Sequence, residues 1–352
     1  MKRFIEQKAR ERGVPLRGTF ELTPLCNFDC KMCYVHLSGS QLANHSASLL
    51  TGQEWRNIIQ QAIAVGMIEV TLTGGEALLH PDFDEILEFL DKENITVNLK
   101  TNGYLLSEER MSFLIAHHVS CIQITLYGCD DDSYERVTGK RCFADIMAAI
   151  ARVKASPIDL EVIVTPNKYI WNSMIPLLKL VSSLDVRYSV NPGLLVPLHE
   201  TGRSEENHDL TLEQYIELRK MHLALRGVEI SPVCQADIPR VGGCSPMPIQ
   251  GLRCAAGRSV FSVSWHGMVH ACRMLEDIKF DGRSTSFATG WQQINEEANQ
   301  YPSPQECEGC AYQGVCTACV IQHSYGAELG HANPELCERA KKMLAEGFYV
   351  KK

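Results

Sequence analysis

Residues 18–34 read Gly18-Thr19-Phe20-Glu21-Leu22-Thr23-Pro24-Leu25-Cys26-Asn27-Phe28-Asp29-Cys30-Lys31-Met32-Cys33-Tyr34. The first six alternate small or polar residues with apolar ones, the pattern of a half-buried strand. The remainder carries a Cys-x3-Cys-x2-Cys array. Spacing this tight lets one loop turn its thiolates onto a single inorganic centre, as cubane iron–sulfur clusters are held. Three thiolates hold three irons of a four-iron cluster and leave the fourth open, much as a catalytic zinc keeps one position free. An open iron means chemistry, whereas a fully ligated cluster only carries electrons. A zinc knuckle, or three unrelated core cysteines, are the alternatives, because Cys-x2-Cys also serves zinc and redox sites.

Working outward, β-rich runs recur at 68–73, 95–100, 121–126, 160–164 and 186–190, after the first at 18–23. Between them lie helical patterns: Phe83, Ile86, Leu87 and Leu90 at i, i+3, i+4, i+7, and Phe143, Ile146, Met147, Ile150 and Val153. Asp82 and Ser107 stand at helix starts, the latter followed by acidic Glu108 and Glu109. Strands alternating with helices of this length predict α/β architecture, with βαβ units around a parallel sheet. A partial (β/α)6 barrel and a doubly wound sheet fit the pattern equally. In both, ligands gather at the C-terminal ends of the strands, where the cysteine loop sits.

The chain has 352 residues, 45% of them hydrophobic, enough for a large core and for two domains. A formal charge of −8, with no basic block before the last few residues, argues against nucleic acid as a partner. No run approaches 18 apolar residues, so no membrane span is expected, and the N-terminus lacks a signal-peptide core. These features predict a cytoplasmic protein. In a reducing compartment fifteen cysteines are more readily ligands than disulfides.

Three strand ends carry polar or glycine-rich motifs: Thr73-Gly74-Gly75-Glu76, Thr101-Asn102-Gly103 and Thr125-Leu126-Tyr127-Gly128. Paired glycines admit close backbone approach to a ligand, and a neighbouring carboxylate can accept from an ammonium group. After about residue 230 the alternation fades, proline and glycine become frequent, and nine of the fifteen cysteines follow. They run Cys234, Cys244, Cys254, then, past Gly267, Cys272, then Cys307-x2-Cys310-x5-Cys316-x2-Cys319, and Cys337. The 307–319 spacing alone would also suit a zinc ribbon. The segment 259–270, with Gly267 between two apolar runs, predicts a hairpin. Cys121, Cys129 and Cys142 follow no ligand pattern and read as small core residues.

The cysteine array followed by Gly74-Gly75-Glu76 resembles the signature of the radical SAM enzymes. The C-terminal cysteine pattern resembles their SPASM extension, and the Leu-Tyr-Gly strand end followed by Tyr134-Glu135-Arg136-Val137-Thr138-Gly139 looks most like members that modify peptides. The central cysteine run of the extension usually has three residues before its fourth cysteine, where this chain has two. The resemblance implies a partial (β/α)6 TIM-like barrel over 1–230, with a linker and SPASM domain over 231–352. It implies S-adenosylmethionine (SAM) and three [4Fe-4S] clusters as cofactors. Cys26, Cys30 and Cys33 would hold the SAM cluster; Cys254, Cys272, Cys319 and, as the candidate fourth ligand, Cys244 would hold one auxiliary cluster; Cys307, Cys310, Cys316 and Cys337 would hold the other. Gly74, Gly75, Glu76, Asn102, Thr125 and Arg136 would contact SAM, Arg136 through the SAM carboxylate.

The implied activity is oxidative maturation of a ribosomal peptide or protein side chain by a 5′-deoxyadenosyl radical, with auxiliary clusters taking the second electron. An electron donor such as flavodoxin or ferredoxin is implied as partner. Only 25 residues precede Cys26, fewer than a leader-binding domain needs, so either a separate protein is expected to present the peptide, or the barrel mouth and the SPASM domain bind it directly. A sulfatase-maturase-like oxidase and a small-molecule or sugar dehydrogenase are alternatives within the superfamily. A non-catalytic iron–sulfur or zinc-binding electron carrier is the alternative from another class, and it would leave Gly74-Gly75-Glu76 without a role.

Overall fold

The computed structural model describes residues 2–33, 35, 37, 49–191, 210–227, 251–312, 315–316, 319–324 and 327–348. Helix α1 (Lys2–Arg12) leads into strand β1 (Arg17–Glu21). There follow α2 (Gly52–Ala64), β2 (Glu69–Thr73), α3 (Phe83–Lys92), β3 (Thr96–Thr101), α4 (Glu108–Ala116), β4 (Cys121–Leu126), α5 (Asp131–Thr138), α6 (Phe143–Lys154), β5 (Asp159–Val164), α7 (Met174–Ser183), β6 (Arg187–Val190) and α8 (Leu212–Leu225). The C-terminal part adds β7 (Val260–Val263), β8 (Met268–His270), β9 (Lys279–Asp281), α9 (Phe287–Gln300), α10 (Val320–Ser324) and α11 (Pro334–Ala345). All six strands expected from the sequence form. Among the described residues, no helix is long and apolar enough to cross a membrane.

The strands make one open sheet in the order β6-β5-β4-β3-β2-β1-β7-β8-β9. β1 through β6 are parallel neighbours in chain order, which selects the partial barrel over the doubly wound alternative. The outward face is apolar. Phe20, Val70, Leu72, Val97, Leu99, Ile122, Ile124 and Val162 are buried under the helices, together with Trp55 and Ile59 of α2, Ile86 and Leu90 of α3, and Ile146 and Val153 of α6. Phe20 stacks on Trp55 with ring centroids 5.4 Å apart. Each such side chain contributes about 1.5–3 kcal/mol when fully buried. Alternate residues point to the concave side and are mostly polar: Asn98 and Lys100 on β3, Gln123 and Thr125 on β4, Glu161 on β5, Ser189 on β6. A closed barrel fills its interior with packed side chains; this open one keeps a polar hollow.

The C-terminal segment does not stand apart from this sheet. The expected hairpin forms, with β7 and β8 antiparallel around Gly267, whose φ of 93° is the left-handed conformation that a hairpin turn draws from glycine. β7 also pairs in parallel with β1, Gly18 opposite Phe261 and Phe20 opposite Val263. A buried ion pair crosses the same seam, Arg273 Nε to Glu21 Oε2 at 2.6 Å. A second link joins α8 to the C-terminus through Ile216, Met343 and Phe348. The division at about residue 230 is therefore one of composition and cysteine content, while the sheet runs through it.

Candidate functional site

A cavity of about 470 Å³ opens at the C-terminal ends of β1–β6. The loop after β1 forms one wall with Pro24, Cys26, Phe28, Cys30 and Cys33; Thr73, Gly74 and Gly75 form the next. Lys100, Asn102, Gln123, Thr125, Glu161 and Ser189 line the concave sheet below. The structure thus brings together the three N-terminal cysteines and four of the six candidate SAM residues: Gly74, Gly75, Asn102 and Thr125.

Backbone hydrogen bonds fix the cysteine loop from two sides. Gly75 N–H donates to Thr23 O and Glu76 N–H to Leu25 O, both at 2.7 Å. Asp29 N–H and Lys31 N–H donate to Thr138 O and Val137 O at the end of α5, both at 3.0 Å. Gly74 and Gly75 are glycines for this reason. A Cβ on Gly74 would sit 2.5 Å from Thr23 O, and one on Gly75 only 2.3 Å from Leu25 O, with backbone that cannot yield. The sequence suggested that paired glycines admit a ligand; in the structure they also admit the cysteine loop itself.

Glu76 turns away from the cavity. Its carboxylate is 1% exposed and accepts from Thr101 Oγ1 (3.0 Å), Asn102 N–H (2.9 Å) and Leu78 N–H (3.3 Å). Burial pushes its pKa up to about 7, against the pull of those donors. It clamps the end of β2 to the end of β3, and so sets Asn102 beside the loop, where Asn102 Nδ2 donates to Asn27 Oδ1 at 2.7 Å. Arg136 is not brought into the cavity: it is exposed on α5, its Nη2 3.3 Å from Ser173 Oγ. What its motif supplies instead is the pair of carbonyls at Val137 and Thr138, a role no side-chain pattern announces.

The chemistry of the thiols fits a positively charged centre. Burial pushes Cys26 up to about 11 and raises Cys30 well above the ordinary thiol value, with further repulsion among the neighbouring cysteines. Donors already point at sulfur: Phe28 N–H at 3.4 Å and Asn102 Nδ2 at 3.9 Å from Cys26 Sγ, and the Tyr127 hydroxyl toward Cys30. A bound iron centre would reverse the cost of ionising these groups, because coordination deprotonates thiols outright.

The C-terminal cysteines gather in two sets. Cys254, Cys272 and Cys319 lie near enough for the charges of Cys254 and Cys319 to raise Cys272, after the larger effect of burial. Cys307, Cys310, Cys316 and Cys337 form the other set by the same measure. Cys244 and Cys234 lie outside the described residues. Near the second set are buried donors for which the described residues supply no hydrogen-bond partner: Arg253 Nε and Nη1, and His323 Nε2. The Arg253 charge acts on both Cys307 and His323. Orphaned donors beside thiols suit anionic sulfur. Among the described residues, no three Cys, His, Asp or Glu side chains converge on a single metal ion. Cys121, Cys129 and Cys142 line no part of the cavity.

Residues 20–180 match the model described as the Radical SAM superfamily. Among relatives, an AdoMet-dependent heme synthase of Methanosarcina barkeri is 24% identical over 329 residues, covering 87% of this chain and 91% of that protein. A PqqA peptide cyclase of Bradyrhizobium diazoefficiens is 21% identical over 315 residues, covering 86% and 80%. The crystal structure of Streptococcus suis SuiB superimposes with a TM-score of 0.70 at 15% identity, covering 95% of this chain and 80% of that one. That likeness establishes a shared fold.

Proposed function

We propose, with the radical SAM domain of residues 20–180 as the premise, that this enzyme is an oxidative maturase of a ribosomal peptide or protein side chain. One observation carries the reading: three thiols and the strand-end residues Gly74, Gly75, Asn102 and Thr125 line a single cavity. Cys26, Cys30 and Cys33 would hold a four-iron cluster with one iron open, and the strand-end residues would face SAM. A cluster held there would supply the electron that opens the SAM sulfonium, releasing methionine and the 5′-deoxyadenosyl radical that would take a hydrogen atom from substrate. The chain's own residues do the positioning. Phe28, against Tyr104 and Tyr127 at 5.9 and 6.5 Å, walls the cysteine loop from water. Glu76 holds the β2 and β3 ends in register, and the Phe28 N–H and Tyr127 hydroxyl orient the thiols.

Cys254, Cys272 and Cys319, with Cys244 as fourth, and Cys307, Cys310, Cys316 and Cys337 would hold auxiliary clusters. Such clusters would supply an acceptor for the second electron, so that a substrate giving up a hydrogen atom, an electron and a proton could close a cross-link or double bond. On this reading residues 1–230 act as the radical-generating core and 231–352 as the electron-accepting module. A flavodoxin or ferredoxin supplies the first electron. Support for a peptide comes from the PqqA peptide cyclase relative; the heme synthase relative favours, as second reading, a small-molecule substrate.

The test is formation of 5′-deoxyadenosine from SAM by the anaerobically reconstituted, reduced protein. Changing Cys26, Cys30 and Cys33 together to Ala should abolish it and remove one third of about twelve irons per chain. Full cleavage by that variant would end the proposal. Stimulation by a short peptide encoded beside the gene, rather than by a porphyrin, separates the two substrate classes.

A further inference from the structure

Backbone and side-chain hydrogen bonds pin the segment before Cys254 against the segment before Cys307. Gly251 N–H donates to Tyr301 O at 2.7 Å, and Ser303 Oγ donates to Gly251 O at 2.8 Å. Arg253 follows directly, its own carbonyl accepting from Arg10 Nη2 of α1 at 2.6 Å. Its Nε and Nη1 are buried, and the described residues offer neither of them an acceptor. The acid next to Cys307 in the chain does not answer this charge. Glu306 is engaged elsewhere, by His331 Nδ1 at 2.9 Å and Ala332 N–H at 3.1 Å.

His323 reaches the same place from α10. It lines a small cavity with Pro302 and Pro304, the residues that lead into Cys307. Its backbone N–H donates to Cys319 O at 3.1 Å, and its Nδ1 accepts from Asn333 N–H at 2.9 Å. Asn333 O in turn accepts from Cys337 N–H at 3.2 Å. The ring therefore stands between two cysteine-bearing stretches, and it is 2% exposed. With Nδ1 accepting, the proton of the neutral ring sits on Nε2. That N–H is also buried with no acceptor among the described residues.

A guanidinium keeps its charge at every physiological pH, and a buried donor or charge left unanswered is costly. Here three such donor atoms, from two distant parts of the chain, collect beside one set of cysteines. Four thiolates around a four-iron centre give it a net negative charge, and reduction adds one more. Hydrogen bonds to its sulfurs and the charge around it set how readily that electron is taken up.

We propose that Arg253 and His323 donate hydrogen bonds to the sulfurs of the auxiliary cluster held by Cys307, Cys310, Cys316 and Cys337, and so raise its reduction potential. The proposal rests on the auxiliary-cluster reading above. It makes this cluster a better acceptor for the electron that leaves the substrate.

The test is a redox titration of the anaerobically reconstituted full chain, followed by electron paramagnetic resonance, so that turnover is not the readout. The signal lost in Cys310→Ala identifies the cluster concerned. Arg253→Met should shift its reduction equilibrium about tenfold toward the oxidised form, a fall of about 59 mV for one electron. His323→Leu should lower the same midpoint by less, and the other clusters should stay near their wild-type values. An unmoved midpoint in Arg253→Met, or an equal fall in all clusters, overturns the proposal; an unmoved midpoint in His323→Leu overturns its histidine half. Iron content and the thermal transition are read on every variant. If Arg253→Met loses iron, Arg253→Lys, which keeps the charge with a different set of donors, should show a smaller fall of the same midpoint, and a wild-type value there also overturns the proposal. Zinc, or no metal, on these cysteines in the wild type would sink the auxiliary-cluster reading itself, before any variant is compared.

Discussion

The two cysteine regions are held by different means. Cys26, Cys30 and Cys33 ride on a loop clamped to the ends of β2 and α5 by four short backbone hydrogen bonds, over a sheet buried on its outer face. The C-terminal sets are carried by short turns and the ends of small helices, with Cys254 and Cys319 exposed; Leu252, Ala256, Leu275 and Ile321 near the first set join the main core, while a small separate cluster of Ile216, Met343 and Phe348 packs between α8 and the C-terminal helix. Hydrophobic burial preorganises the first site. The stretch carrying Cys307–Cys337 has, among the described residues, a smaller core beside it, and small cysteine-rich folds gain such order from metal.

Removing iron is the strongest way to break this comparison. Chelation under anaerobic conditions should leave amide protection in β1–β6 near that of the iron-loaded protein and release it by several decades across 305–345. Uniform loss of protection in hydrogen exchange would show that the sheet, too, depends on its cluster. A smaller effect tests the seam between the regions. Glu21→Ala leaves the buried Arg273, among the described residues, with Glu276 alone as its carboxylate partner, Nη1 to Oε1 at 2.8 Å. Losing one partner of a buried charge should cost less than the about 3–5 kcal/mol of a fully broken buried pair, read as a lowered denaturation midpoint. An unchanged midpoint would mean that Glu276 and water suffice for Arg273.

The smallest test sharpens the account of the first region. Glu76 titrates near 7 when folded, against 4.5 for the ordinary carboxyl. The folded state therefore holds its proton more tightly than the unfolded chain. The stability this gives is complete below the unfolded value and is lost as pH rises to about 7 and beyond. A shift of this size corresponds to about 3 kcal/mol. In the iron-free protein, Glu76→Gln should remove that decline, seen by comparing urea unfolding at about pH 5 and pH 8. The same slope in both proteins would locate the titration elsewhere.

Much of the barrel was legible because its signal is local. β4 spans 121–126 as its apolar run does, and β2 begins one residue later than its run because Ile68, half exposed, lies outside the ladder. Ser107 caps α4 as read, its Oγ accepting from Arg110 N–H. Asp82 stands at the start of α3 but accepts from Gly52 N–H at 2.7 Å instead of capping its own helix. Tertiary contacts were not legible. Glu76 looks identical in sequence whether its carboxylate meets a ligand or the end of β3, and Arg136 gives no sign of which way α5 will turn it. Nothing near Gly18 hints that its partner is Phe261.

That last pairing bears on how the chain is made. β1 lies inside the sheet, between β2 and β7, and Arg17 pairs with Val260, 243 residues further along. During synthesis β2 can join β1 early, but the other edge of β1 stays bare until the last third of the chain emerges. An unpaired strand edge is a template for association with other chains, and contacts this distant in sequence form slowly. Nascent chains stalled before residue 260 should therefore be prone to aggregate, with Phe261 not yet made to cover Phe20.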